Sequence, residues 1–450
     1  MKKSIALLLC LLLSLSAFCA CESRDTAPET TPTVSPTEAT KPKIPSVRFL
    51  SFQPELADVW QDLAAAYTAE TGVPVTVTTE KPDNWRQTLE SLLSSEDAPT
   101  LFQLIRPTAD DRWEALCYDL SDTDAAGQLM SADYALTQDE AILGLPCSLD
   151  AWGIWVNKAL LSQAGFSPED ITSLESLKAV CDSITADAEA LGFSAFSGST
   201  GDPHMDLAAT AIAWEFQEEG LTDPSDFRGT SLDGLRSLLD TMLLNSPEGS
   251  GPAPFLEGKA VFCPGSSADW DTLSEVFAAG ELALIPAFLD EPEQSAEETT
   301  PEETEETQPT EETQPQEDDP QGLCIGAEVF WCVNPDAPEQ DLSATLTFLD
   351  WCLGTGEGAA ALAAMGYDLP FLTAPESDNP FLPDPEAVDL LPRRDWTMPS
   401  QQWKTALSSA LADYTADPSD GRWARVAEVF ADYWAAEYAL NDPTEESTEP

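Results

Sequence analysis

Aromatic rings stand beside carboxylates or amides at several predicted segment ends of this 450-residue chain. They are Phe52-Gln53, Asp150 with Trp152, Asp269-Trp270, Glu328 with Phe330 and Trp331, and Asp395-Trp396. A flat aromatic face stacks on C–H surfaces, while a carboxylate or amide accepts hydrogen bonds from hydroxyls. Such pairs can grip a polyhydroxylated ring, which is binding chemistry rather than bond-making. Trp is bulky and mostly buried wherever it falls, so each ring also competes for a core role. Trp60, Trp351 and Trp434 lie in helical stripes and are read as core.

Other chemistry is sparse. A single His argues against a multi-His metal site or a His relay, so no metal or cofactor is expected. The sequence has no GxSxG elbow, P-loop, GxGxxG fingerprint, HExxH or Cys–His couple. Two carboxylates could hydrolyse a glycoside, but 81 acidic residues make chance pairs abundant. A glycosidase-like enzyme and a surface adhesion lipoprotein remain as rivals to a binding protein. His204 is read as a solvated loop residue, and Arg393-Arg394 as partners of acids.

The balance of 81 Asp+Glu against 20 Lys+Arg leaves a formal charge of −61. Nucleic-acid binding is excluded, because it needs a basic face. A polybasic membrane patch is excluded for the same reason. The excess also argues against an anionic ligand and suits a neutral one. With 42% hydrophobic residues, 13 Trp and 18 Phe, the chain can bury one large core or two medium ones, and two lobes are expected.

The N-terminal segment reads as a signal, residues 1–20. Lys2 and Lys3 precede an apolar run, Ile5 to Leu15, that is too short to span a bilayer. Phe18-Cys19-Ala20-Cys21 resembles the lipobox of bacterial lipoproteins, which implies lipidation of Cys21, with Cys19 as the alternative. Residues 21–45 are rich in Pro, Thr and Glu and read as a disordered tether, as do residues 441–450 at the other end. Seven further Cys sit mostly in apolar runs without a CxxC pair, so buried thiols are expected.

Between these ends, strands and helices alternate. Val47 to Phe52 reads as a strand and Leu56 to Thr71 as a helix stopped by Gly72. Val73 to Val77 is a second strand, Asp83 caps a helix over Trp85 to Leu93, and Pro99 to Ile105 is a third strand. That order predicts a parallel α/β sheet. Thr172 with Glu175 reads as a capping box. Strands are expected at Lys259 to Cys263 and Leu282 to Ala287, with helices closing the chain from Ser400. Residues 290–319 carry 14 acidic and no basic residues in a degenerate TEETQP repeat, read as a disordered insertion in a surface loop.

The order of these blocks resembles the extracellular solute-binding proteins of bacterial ABC importers, in the branch that captures sugars. The resemblance rests on Phe49 to Trp60, AAYTAETGVPVTV, Pro99 to Leu104, Leu143 to Lys158, Phe255 to Phe262, Ala283 to Phe288 and Gly322 to Asn334. It implies a two-lobe periplasmic-binding-protein-like (type II) α/β fold with a hinge and an interlobe ligand cleft. The lobes would be 46–150 with 256–330, and 151–255 with 331–440. Phe52, Gln53, Asp150 and Trp152 match cleft-lining positions. Glu328 and Phe330 fall on the family's cleft strand, where Val329 replaces the usual Asn. Asp269, Trp270 and Trp396 complete the expected ligand contacts. The implied partners are a sugar or oligosaccharide, the transmembrane permease subunits and, through a lipid anchor, the outer face of the cell membrane. A monomer without its own nucleotide site is expected.

Overall fold

The computed structural model describes residues 44–82, 84–197, 203–247, 251–289, 321–354, 356–385, 387 and 389–441. The signal, most of the tether, the acidic insertion and the C-terminal tail expected above lie outside the described residues.

Among the described residues, twelve strands form two sheets. The first takes β1 (Val47–Ser51), β2 (Val75–Thr79), β3 (Leu101–Ile105), β4 (Leu136–Gln138), β5 (Ala141–Pro146) and β11 (Val329–Val333) in the order β2-β1-β3-β11-β5-β4. Its β1, β2 and β3 are parallel, as the strand–helix–strand spacing predicts, and β11 enters antiparallel between β3 and β5. The second sheet takes β6 (Asp150–Asn157), β7 (Ser194–Phe196), β8 (Ala260–Ser266), β9 (Leu282–Ile285), β10 (Cys324–Gly326) and β12 (Leu391–Pro392). Its order is β12-β10-β6-β8-β7, with β9 also paired to β6.

Alternation along each strand divides the cores. On β11, Trp331 and Val333 join Phe49, Trp60, Leu63, Tyr67 and Phe348 on one side of the first sheet. Phe330 and Cys332 join Leu50, Phe102 and Leu104 on the other. The helix Ala57–Thr71 supplies Trp60, Leu63 and Tyr67 from one face, and Gly72 ends it at φ +76°. The second body buries Ile154, Val156 and Phe262 against the closing helices, which contribute Trp403, Leu407, Phe430 and Trp434. All seven described cysteines are buried free thiols.

The lobe boundaries differ from expectation. Strands β8, β9 and β10 extend the second sheet through β6, whereas β11 returns to the first. Residues 260–289 and 321–326 therefore belong with the second body, and the helices Glu339–Leu349 and Gly356–Ala363 pack on the first. The acidic insertion consequently interrupts the second body, between β9 and β10. Its flanks meet: Leu289 N donates to Gln321 Oε1 at 2.9 Å, and Gln321 Nε2 donates to the Ala287 carbonyl at 2.8 Å.

The helix after residue 173 is also capped differently. Ser173 takes the N-cap position, and its hydroxyl accepts from Ser176 N at 3.1 Å. Ser176 Oγ answers by accepting from Ser173 N at 3.0 Å, so Thr172 and Glu175 do not form the box. Asn84, not Asp83, stands at the cap of Trp85–Leu93, and Asp83 lies outside the described residues. No helix among the described residues is long and apolar enough to cross a membrane.

Candidate functional site

The chain passes between the two sheets at three places: residues 147–149, residues 327–328, and the stretch from about Asp368 to Leu390. The first two run side by side, with Cys147 N donating to the Val329 carbonyl at 2.9 Å. The third is stitched to the first, since Leu149 N donates to the Asp368 carbonyl at 2.9 Å and Asp368 N donates to Ser148 Oγ at 2.9 Å.

A cavity of about 470 Å³ opens beside these crossings. The first crossing contributes Ser148 and Asp150, and the second body contributes Ser267, Trp270 and Asp271. Tyr367 and Asp368 line it from the start of the third crossing, with Glu376, Asp378 and Asn379 farther along. Both bodies thus wall one space.

Its groups are held by defined bonds. Tyr367 donates its hydroxyl to Gln53 Oε1 at 3.2 Å, and Gln103 Nε2 donates to that same oxygen at 2.7 Å. Gln103 is anchored in turn, its Oε1 accepting from Ser51 Oγ at 2.8 Å and from Phe52 N at 2.9 Å. Asn379 Nδ2 donates to the Ser267 carbonyl at 3.0 Å, and Ser267 Oγ accepts from Ala151 N at 2.9 Å. Trp270 is half-buried and meets Phe381 edge-on at 5.0 Å; Phe381 meets Trp155 likewise at 4.6 Å. One face of the cavity is therefore an indole fixed by other rings.

The electrostatics are negative. Asp150 has no hydrogen-bond partner among the described residues, and burial, then the charges of Glu328 and Asp368, push its carboxyl up to about 7. Burial raises Asp368 too, against the bonds it accepts from Ser377 and Asn379. Behind Asp150 lies a buried ion cluster. Arg393 Nε and Nη2 reach the two oxygens of Asp395 at 2.7 and 3.1 Å, and its Nη1 reaches Asp206 at 2.9 Å. Burial favours a neutral Asp395, but Arg393 and Lys404 outweigh it and hold the carboxyl well below its usual range. The guanidinium also lies 4.1 Å from the ring centre of Trp152. Glu328 pairs with Arg106 across the second crossing.

Of the expected contacts, Asp150 and Trp270 line the cavity directly, and Gln53 reaches it by positioning Tyr367. Trp152 and Asp269 line a separate recess of about 90 Å³ together with Asp206 and Gly265. There the Asp269 carboxylate accepts from Ser266 N at 2.8 Å and from Trp155 Nε1 at 3.4 Å. Glu328 stands half-buried at the crossing itself.

Four expectations are corrected. Phe52, Phe330 and Trp396 are 1%, 0% and 5% exposed, and they pack in one core cluster rather than facing ligand. Phe330 and Trp396 meet edge to face at 5.3 Å. A ring at a strand end is swallowed when the next layer covers that end, as the Trp396 segment covers Phe330. His204 lies on the helix Pro203–Glu218, not on a loop, and lines a different hollow. Arg393 and Arg394 do pair with acids, as expected.

The sequence reading missed Tyr367, Asp368, Ser267 and Asn379. Tyr367-Asp368 carries the same aromatic–acid adjacency that marked the other candidates, so that signal could have found it.

Residues 62–387 match the model of a bacterial extracellular solute-binding protein family. No curated protein matches the chain. Among solved structures, a probable secreted solute-binding lipoprotein from Streptomyces coelicolor is 15% identical, with a TM-score of 0.62 over 89% of this chain and 100% of its own. The GacH receptor of Streptomyces glaucescens is 15% identical, with a TM-score of 0.58 over 87% of this chain and 98% of its own. RafE from Streptococcus pneumoniae is 13% identical, with a TM-score of 0.60 over 88% of this chain and 100% of its own. These likenesses concern the fold. With the family match spanning most of its length, the chain belongs to the bacterial extracellular solute-binding proteins.

Proposed function

We propose that this protein captures a sugar or oligosaccharide in the cavity between its two bodies and delivers it to the membrane permease of an ABC importer. One observation carries the reading. A fixed aromatic face, Trp270, shares a 470 Å³ cavity with the acceptors Asp150 and Asp368 and the tyrosine Tyr367, drawn from both sides of the crossings. A sugar ring needs that combination: an apolar plane for its C–H face and acceptors for its hydroxyls. Ligand contacts to both bodies favour the conformation in which the bodies close on it, so binding and closure are one equilibrium. GacH has a structure in complex with acarbose and RafE one with raffinose, which supports sugar as the ligand class.

The reading includes a lipid anchor at Cys21, or at Cys19, with the segment up to residue 45 as a tether holding a monomeric body off the outer membrane face. The protein itself does no chemistry on its ligand, and the separate ATPase subunits of the importer power transport. A thermal-shift screen against mono- and oligosaccharides tests this, because a ligand bound only to the folded state raises the melting temperature, by RT ln(1 + [L]/Kd) in stability. A carbohydrate should raise the transition without product appearing. In Trp270→Ala the shift should vanish with the unliganded transition unmoved. Failure of every sugar would reject the ligand class, and product formation would reject the non-enzymatic reading.

A further inference from the structure

Five carboxylates line the cavity, those of Asp150, Asp271, Asp368, Glu376 and Asp378, and none of its described lining residues is basic. The nearby cations are already engaged: Arg106 by Glu328, and Arg393 by Asp395 and Asp206. Asp150, which has no hydrogen-bond partner among the described residues, projects from the first crossing into this space. The acids act on one another as well. After burial, Glu328 and Asp368 raise Asp150, and Asp271 and Asp378 raise Asp368.

A neutral sugar leaves this mutual repulsion in place. Closure over it makes matters worse, because excluding water lowers the local dielectric. A positive charge among the carboxylates attracts each of them and so offsets this repulsion. That charge need not be a metal ion, since no group of acidic, Cys or His side chains among the described residues converges to hold one. The acids are distributed along the cavity instead, which suits a cationic nitrogen carried on an extended framework. Trp270 beside them offers the face for that framework.

We propose that the cavity prefers amine-bearing sugars, that is, amino sugars or aminated oligosaccharides whose protonated nitrogen lies among these carboxylates, over neutral sugars of the same shape. The proposal rests on the sugar reading above and names the class of sugar.

Matched ligands test it by calorimetric titration of the full chain. The probes are glucosamine, galactosamine and the β-1,4-linked di- and trisaccharides of glucosamine, each beside its N-acetylated form and its hydroxyl isostere. The amine forms should bind roughly tenfold or more tightly than the isosteres at low salt, a preference that shrinks at about 0.5 M salt as the charges are screened. Asp271→Asn combined with Asp378→Asn, both at exposed positions, should cut the preference several-fold, read within the variant as the ratio of the amine's affinity to its neutral isostere's. Equal or tighter binding of the neutral isosteres would overturn the charge preference and leave the sugar reading standing. A folded chain that answers none of the probes would also overturn it, and the neutral-sugar screen then judges the wider reading separately. Binding of spermidine, a polyamine without a ring, in the absence of any carbohydrate binding would overturn both.

Discussion

Asp150 stands where the chain first leaves one sheet for the other, and its carboxyl is pushed up to about 7 by burial and by Glu328 and Asp368. The consequence for stability has a definite sign. An unfolded Asp loses its proton near pH 4, whereas the folded one keeps it to about 7. Between those values the folded state holds the extra proton, so this group's contribution to stability is complete below about pH 4 and is lost as pH rises through about 7. In Asp150→Asn that fall should disappear, and the variant should be more stable relative to wild type at pH 8 than at pH 4, as measured by melting curves across the range. Arg393 makes the opposite case. It is 6% exposed and neutralises Asp395 and Asp206, so Arg393→Met should destabilise by about 3–5 kcal/mol in chemical denaturation, because Asp206 loses its counter-charge and the buried Asp395 keeps only Lys404. At this scale the sequence showed which residue types sit together. Asp150 and Trp270 were legible for that reason. Phe52 and Phe330 carried the same mark, and only the packing of a second layer separates a ring that faces a cavity from one that closes a core.

The supporting elements explain why Gln53 matters without lining the cavity. It follows β1 directly, and its amide oxygen accepts from Gln103 on β3 and from Tyr367 at the third crossing. One side chain thus transfers the rigidity of two adjacent parallel strands to a ring in the binding wall. Gln53→Ala removes a hydrogen bond worth about 1 kcal/mol to the placement of Tyr367, so ligand affinity should fall about fivefold. The melting temperature should move little, which separates this role from a structural one. The strands themselves were readable to within a few residues, because apolar alternation and Gly72 are local signals. Their pairing was not readable. Strands β10 and β11 are separated by two residues yet belong to different sheets, and nothing in their composition announces the change. That single step moved β8, β9 and β10 from one body to the other.

On the scale of the whole molecule, the two bodies touch outside the crossings as well. Ala109 N and Asp110 N donate to the carbonyls of Met398 and Pro399 at 2.9 and 3.0 Å, and Asp133 pairs with Arg394. None of these contacts falls in the lining of the 470 Å³ cavity. The flanks of the acidic segment 290–319, Leu289 and Gln321, meet in the second body. Deleting it and joining Leu289 to Pro320 should therefore leave both the melting temperature and ligand affinity within error of wild type, measured by calorimetry. Lost affinity would mean that the segment belongs to the site.

The Gln321 clamp has an engineering meaning. Two bonds from one side chain bring the chain's exit and re-entry together, at the end of β9 and the start of β10, and both strands pair with β6. Strand β6 begins at Asp150 on the first crossing. A circularly permuted fluorescent protein spliced between Leu289 and Gln321 would have its termini held at hydrogen-bonding distance and mechanically coupled, through one strand, to the first crossing. The protein carries a ready-made socket for an optical reporter of the closure proposed above.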